Sequence, residues 1–130
     1  MRSFLLNKLV RDKILADMQG MGQQVTHRKL DDAEYVRELR KKLLEEAGEF
    51  DTTKPEDALK ELADVLEVVE ALAKQIGTDF DGLRKLQAEI REKRGGFEDR
   101  TYVERLDLAD DDPWAAYYAK DPERFKPVKE

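Results

Sequence analysis

Four carboxylates set the chemical question. Glu46 and Glu49 stand three residues apart, as do Glu61 and Asp64, and residues at i and i+3 share a helix face. Glu45 precedes the first pair and reaches Glu49 at i+4. On two neighbouring helices these acids would converge on one spot. Such a group repels itself unless protons or cations intervene, and hard cations take oxygen ligands of this kind. All-oxygen ligation favours Mg2+ or Mn2+ over Zn2+ or Cu2+. Mg2+ commonly bridges protein carboxylates to substrate phosphates and lowers the pKa of a bound water, while a free carboxylate beside it can take the proton from that water as it attacks. The chemistry that fits is hydrolysis of a phosphoanhydride. Di-iron bundles hold metal with comparable carboxylate pairs but add Glu-x-x-His motifs, and the chain has none.

Two amphipathic helices must position these acids, and residues 32 to 76 predict them as a hairpin. Asp31 followed by Glu34 has the pattern of an N-cap and its N3 partner. Val36, Leu39, Leu43, Ala47 and Phe50 then form one apolar stripe at helical spacing. Glu46 lies roughly 60 degrees and Glu49 roughly 120 degrees from that stripe, at about 100 degrees per residue, so both border the core on one flank. Asp51-Thr52-Thr53 breaks the helix, and a break this short makes the two helices antiparallel neighbours. Thr53 and Glu56 predict a second capping box with Pro55 in the first turn. Leu62, Leu66, Val69, Ala73 and Ile76 form the next stripe, widened by Val65, Val68 and Leu72. A helix this apolar must be buried on two sides. Glu61 and Asp64 fall on the flank beyond Val65. Counted from the turn they lie about one helical turn farther out than Glu49 and Glu46, so the helices must be staggered if the acids are to meet.

The rest of the chain is less sharply patterned. Leu9, Val10, Ile14 and Met18 predict a short helix from about residue 9, stopped by Gly20 and Gly22. Val25, His27 and Leu30 have an extended pattern that predicts a strand over 23–30, with His27 on the surface. Thr78 to Asp81 can cap a helix carrying Leu83, Leu86 and Ile90, bounded by Gly77 and by Gly95-Gly96. Residues 100–108 predict a short strand or an extended arm. Asp110-Asp111-Asp112-Pro113 starts a helical turn bearing Trp114, Tyr117 and Tyr118, whose spacing suits packing better than base stacking, and Asp121-Pro122-Glu123 opens another. The expected fold is all-α, an antiparallel bundle of about four helices with short extended arms, in one domain over 1–130 whose tail, 106–130, has no assigned role.

Composition narrows the classes. Charged residues make up 42% and apolar residues 40% of 130, which suits amphipathic helices. Asp plus Glu is 30 against 24 Lys plus Arg, a net charge of −6, and an acidic surface argues against a nucleic-acid partner. There is no Cys, so disulfides, thiolate metal sites and thiol nucleophiles are excluded. The lone His27 excludes a multi-histidine zinc site within one chain. No apolar run approaches the roughly 20 residues of a membrane span. Met1 to Ile14 is basic but broken by Asn7 and Asp12, with no small-residue cleavage site behind it; the expectation is no signal peptide, no membrane partner and a cytoplasmic protein.

Two basic segments can face phosphates. Lys8, Arg11 and Lys13 form one cluster, which is otherwise a solvated helix face. Lys93 and Arg94 precede Gly95-Gly96, whose backbone N–H groups can cradle an oxyanion or simply end a helix.

With these residues in view the chain resembles a known family. Glu46-x-x-Glu49 followed by Glu61-x-x-Asp64 is similar to the signature of the all-α nucleoside triphosphate pyrophosphatases, the MazG-like group that includes phosphoribosyl-ATP pyrophosphohydrolases. Asn7-Lys8-Leu9-Val10-Arg11-Asp12-Lys13-Ile14, Glu61-Leu62-Ala63-Asp64-Val65-Leu66-Glu67-Val68 and Arg94-Gly95-Gly96-Phe97 resemble its small single-domain branch. Leu15 departs from that branch, which usually has proline there. The resemblance spans residues 4 to about 105 and leaves the tail from residue 106 unmatched. It implies a helical, oligomeric protein with Mg2+ on Glu46, Glu49, Glu61 and Asp64. It also implies cleavage of a nucleotide between its α- and β-phosphates to a monophosphate and pyrophosphate. Any of these acids, or Glu45, would orient the water, and Lys8, Arg11, Lys13, Lys93 and Arg94 would neutralise the phosphates. A reading from another class is a catalytically idle nucleotide sensor or helical interaction module. Apart from the resemblance, the breadth of the apolar surface over residues 58 to 76 predicts self-association, as a homodimer or higher homo-oligomer.

Overall fold

The computed structural model describes residues 1–129, which fold into five α-helices and, among the described residues, no strand. These are α1 (Asp12–Gly20), α2 (Asp32–Glu49), α3 (Pro55–Gln75), α4 (Phe80–Arg94) and α5 (Pro113–Ala119). The chain divides into two compact units, Met1–Arg94 and Gly95–Glu130. In the first, α2 and α3 form the main helical pair, α4 packs more lightly on α3, and α1 packs on no other helix. No helix among the described residues is long and apolar enough to cross a membrane.

Local chemistry explains most helix ends. Asp31 caps α2 through a 2.8 Å hydrogen bond from the Glu34 N–H. The reciprocal half of the box is absent, because the Glu34 carboxylate instead accepts a two-pronged bond from Arg28, at 3.1 and 2.6 Å. That fork, aided by the Asp31 bond and opposed by burial, holds Glu34 down at about 2. The box expected at Thr53 and Glu56 does not form. Lys54 is the N-cap and its side chain caps nothing; Thr53 gives its N–H and hydroxyl to Asp51 at 2.9 and 2.8 Å. Pro55 at the start of α3 explains the shift, since a residue before proline is pushed out of the helical region, and Lys54 sits at φ −124, ψ 86. Gly77, at φ 94, follows α3 and Gly95, at φ 78, follows α4; both have the left-handed backbone that glycine adopts freely. Asp79 caps α4 by accepting from the Gly82 N–H at 2.8 Å.

Two further sequence expectations fail. The first helix begins at Asp12 rather than near residue 9, because Asn7 is left-handed (φ 48) and Arg11 is extended (ψ 152). Residues 23–30 are not a strand, and of the two alternatives for 100–108, short strand or extended arm, the strand does not form; an extended segment needs a neighbour to accept its ladder bonds, and these segments have none among the described residues.

The core of the first unit is thin. Leu39 of α2 and Ala58, Val68 and Ala73 of α3 are its buried apolar residues. α3 presents Ala58, Glu61, Val65, Val68 and Leu72 on its covered side, while Leu59, Leu62 and Leu66 remain at least half exposed. In the second unit α5 is capped by Asp112, which accepts from the Trp114 N–H at 2.8 Å. Its rings form one cluster, with Trp114 edge-on to Tyr117 at 5.4 Å and Tyr118 edge-on to Phe125 at 4.9 Å. The tail aromatics therefore pack on each other, as their spacing predicts. Leu106, Leu108, Trp114 and Tyr118 line a shallow open hollow of about 220 Å³.

Candidate functional site

The stagger of α2 against α3 brings Glu46 opposite the second acid pair. One carboxylate oxygen from each of Glu46, Glu61 and Asp64 lies within 4.8 Å of the other two. Glu49 stands outside this triad, yet its charge acts on Glu61, and the two residues line a common cleft. Glu45 sits beside Glu46 on α2 and is taken up by Lys8. Of the four acids that the spacing argument places on these two helices, the structure brings three together and leaves Glu49 outside.

Glu61 is the focus of the electrostatics. Its carboxyl is held above the usual range, first by a hydrogen bond shared with Glu46, then by burial, then by the charges of Glu49, Glu46 and Asp64. Its Oε2 is buried and accepts no hydrogen bond. A buried acceptor without a donor is costly, and a cation removes that cost. The triad therefore passes a chemical fit test for a hard divalent ion: three oxygen donors on two helices, one of whose residues, Glu61, also carries an orphaned buried oxygen. Mg2+ or Mn2+ suits such a set.

Cations of the chain itself surround the acids. Arg11 Nη2 donates to Asp64 Oδ1 at 2.6 Å and Lys8 Nζ donates to Glu45 Oε1 at 3.0 Å. Lys8 is raised above its ordinary value, mainly by that bond and the Glu45 charge, and the same pair lowers Glu45. Lys42 stands 4.0 Å from Glu46, one helical turn away. The basic N-terminal cluster is thus split. Arg11, on extended backbone, and Lys8, ahead of the helix, reach the hairpin, whereas Lys13 sits in the first turn of α1. Lys93 and Arg94 end α4, and no hydrogen bond or ion pair joins either to the acids.

Sequence reasoning missed the cleft beside the triad. Glu49, Asp51, Lys54, Asp57, Lys60 and Glu61 line an open hollow of about 260 Å³ between the end of α2 and the start of α3. Its two lysines flank the Asp51-Thr52-Thr53 break and the first turns of α3, a placement visible in the sequence, but their shared face depends on the loop path. Lys42 was more legible, since i and i+4 residues on a helix are neighbours. No protein-family model, curated protein or solved structure matches the chain.

Proposed function

We propose that the chain is a Mg2+-dependent nucleotide pyrophosphohydrolase, cleaving a nucleoside triphosphate or phosphoribosyl-ATP between its α- and β-phosphates to a monophosphate and pyrophosphate. The observation that carries this reading is the meeting of Glu46, Glu61 and Asp64 across α2 and α3, with the Glu61 oxygen buried and unpartnered. The motif resemblance to the MazG-like pyrophosphatases adds the reaction class.

In this reading Glu46, Glu61 and Asp64 hold the metal, with Glu49 completing or bordering its shell. When bound, the ion screens phosphate charge and acidifies a water. The remaining work falls to the chain. Glu49 or Glu45 orients the water and accepts its proton. Lys8, Arg11 and Lys13, with Lys93 and Arg94, neutralise the polyphosphate, and Lys54 and Lys60 in the cleft are further candidates. The protein works as a homodimer or higher homo-oligomer, in which the exposed leucines of α3 pack against another copy and complete the antiparallel bundle.

The deciding experiment is pyrophosphate release from a panel of nucleoside triphosphates and phosphoribosyl-ATP, with Mg2+ and then with chelator. The expected result is metal-dependent release with one substrate strongly preferred. Tight nucleotide binding without turnover would instead support a nucleotide sensor.

A further inference from the structure

The N-terminal segment carries positive charge to the acids by an unusual route. Residues 8 to 11 are not helical, and α1, which follows them, packs on no other helix. Two ion pairs tie them to the hairpin, Arg11 to Asp64 and Lys8 to Glu45. Each joins residues far apart in sequence, 53 and 37 positions respectively. All four side chains are more than a third exposed. Ion pairs this open are screened by water and salt and contribute little to stability.

Asp64 therefore serves two partners. It belongs to the carboxylate triad, and it accepts from Arg11. A carboxylate that donates to a divalent ion has less charge to offer a guanidinium, so the two compete for it. Glu45 stands beside Glu46 and is subject to the same effect at longer range. Carboxylate and phosphate are both oxyanions, and the guanidinium fork that fits one fits the other. A side chain released from Asp64 is thus already suited to a phosphate brought to the same place.

We infer that Lys8 and Arg11 are internal counter-ions with two stations. Without metal they neutralise Glu45 and Asp64. A divalent cation at Glu46, Glu61 and Asp64 releases them, and they then take the phosphates of the incoming nucleotide. Metal and nucleotide are thereby coupled through the N-terminal segment, and such coupling is reciprocal. This inference rests on the metal-site assignment proposed above.

Calorimetric titration of the full chain with Mn2+ tests it, comparing wild type with Arg11→Gln, followed by titration with a non-hydrolysable α,β-methylene triphosphate. Arg11→Gln is expected to tighten Mn2+ binding in the absence of nucleotide. It should also shrink by about tenfold the factor by which Mn2+ strengthens analogue binding, and Arg11→Lys should restore much of that factor. A second readout leaves the charges intact: limited trypsin cleavage after Lys8 should accelerate with Mn2+ and slow again when the analogue is added. Unchanged or weaker Mn2+ binding in Arg11→Gln, an unchanged coupling factor, or cleavage indifferent to Mn2+ would overturn the inference while leaving the metal site standing. Equal Mn2+ binding by wild type and Asp64→Asn would remove the metal site, and the inference with it.

Discussion

Ala58, Val68 and Ala73 are the buried residues of α3, yet one stretch of the helix departs on both sides from the usual amphipathic rule. Toward α2 the acids cluster: the Glu46 side chain facing α3 is only 14% exposed, and Glu61 has a buried oxygen without a partner. On the other side Leu59, Leu62 and Leu66 are 67%, 51% and 50% exposed. A helix ordinarily turns its leucines inward and its carboxylates to water, because apolar area is stabilised by burial and an unpaired charge is penalised by it. The reading proposed above would supply a cation on the inner side and an apolar surface on the outer. Arg11 already brings positive charge to the inner side. On the outer side α4 packs only lightly on α3 and leaves its own Leu86 and Ile90 about half exposed.

The sharpest way to break this contrast is on the inner side. Asp64→Asn keeps shape but removes a ligand charge, and metal-dependent turnover should fall by more than roughly 100-fold while circular dichroism stays unchanged; retained turnover would empty the acid face of its proposed role. On the outer side, Leu66→Glu places a charge in the exposed stripe. Light scattering on wild type should give a multiple of the 15.1 kDa chain mass, and the variant should need roughly 30-fold higher protein concentration to associate. A wild-type mass of 15.1 kDa would mean that another molecule, or none, covers the leucines.

The smallest effect concerns Glu61. Because Glu61 is held above its ordinary value of 4.5 in the fold, folding takes up a proton, and that contribution is lost as pH rises through the raised value. Glu34, Glu45 and Asp51 are lowered and act in the opposite sense, losing their contribution as pH falls. The comparison with Glu61→Gln isolates the first effect. In chelator the melting temperature of the variant should exceed that of wild type by a gap that opens as pH rises above 4.5, reaching a few degrees. A constant gap would assign the buried oxygen no electrostatic role.

Much of this was legible in the order of residues. The stripe from Val36 to Phe50 and the Asp31 cap delimit α2, Pro55 opens α3, and Gly77 and Gly95 close α3 and α4. Each is a local effect, acting within a turn or two of chain. The acid pairs were legible as well, since their spacing fixes a helix flank wherever the helix sits. Misreadings arose where local pattern and local backbone disagreed. Leu9 and Val10 continue the apolar spacing of Ile14, yet the left-handed Asn7 and extended Arg11 hold the segment out of the helix.

Only the tertiary structure decided which acids meet. Spacing along each helix says nothing of the offset between them, and that offset, set by the path from Phe50 to Lys54 and the packing of α2 on α3, admits Glu46 to the triad and leaves Glu49 beside it. The same holds for Arg11 and Asp64, 53 residues apart. Helix periodicity and caps are written within a few residues because their hydrogen bonds close within one turn, whereas a salt bridge between distant residues exists only after the chain has folded to bring them together.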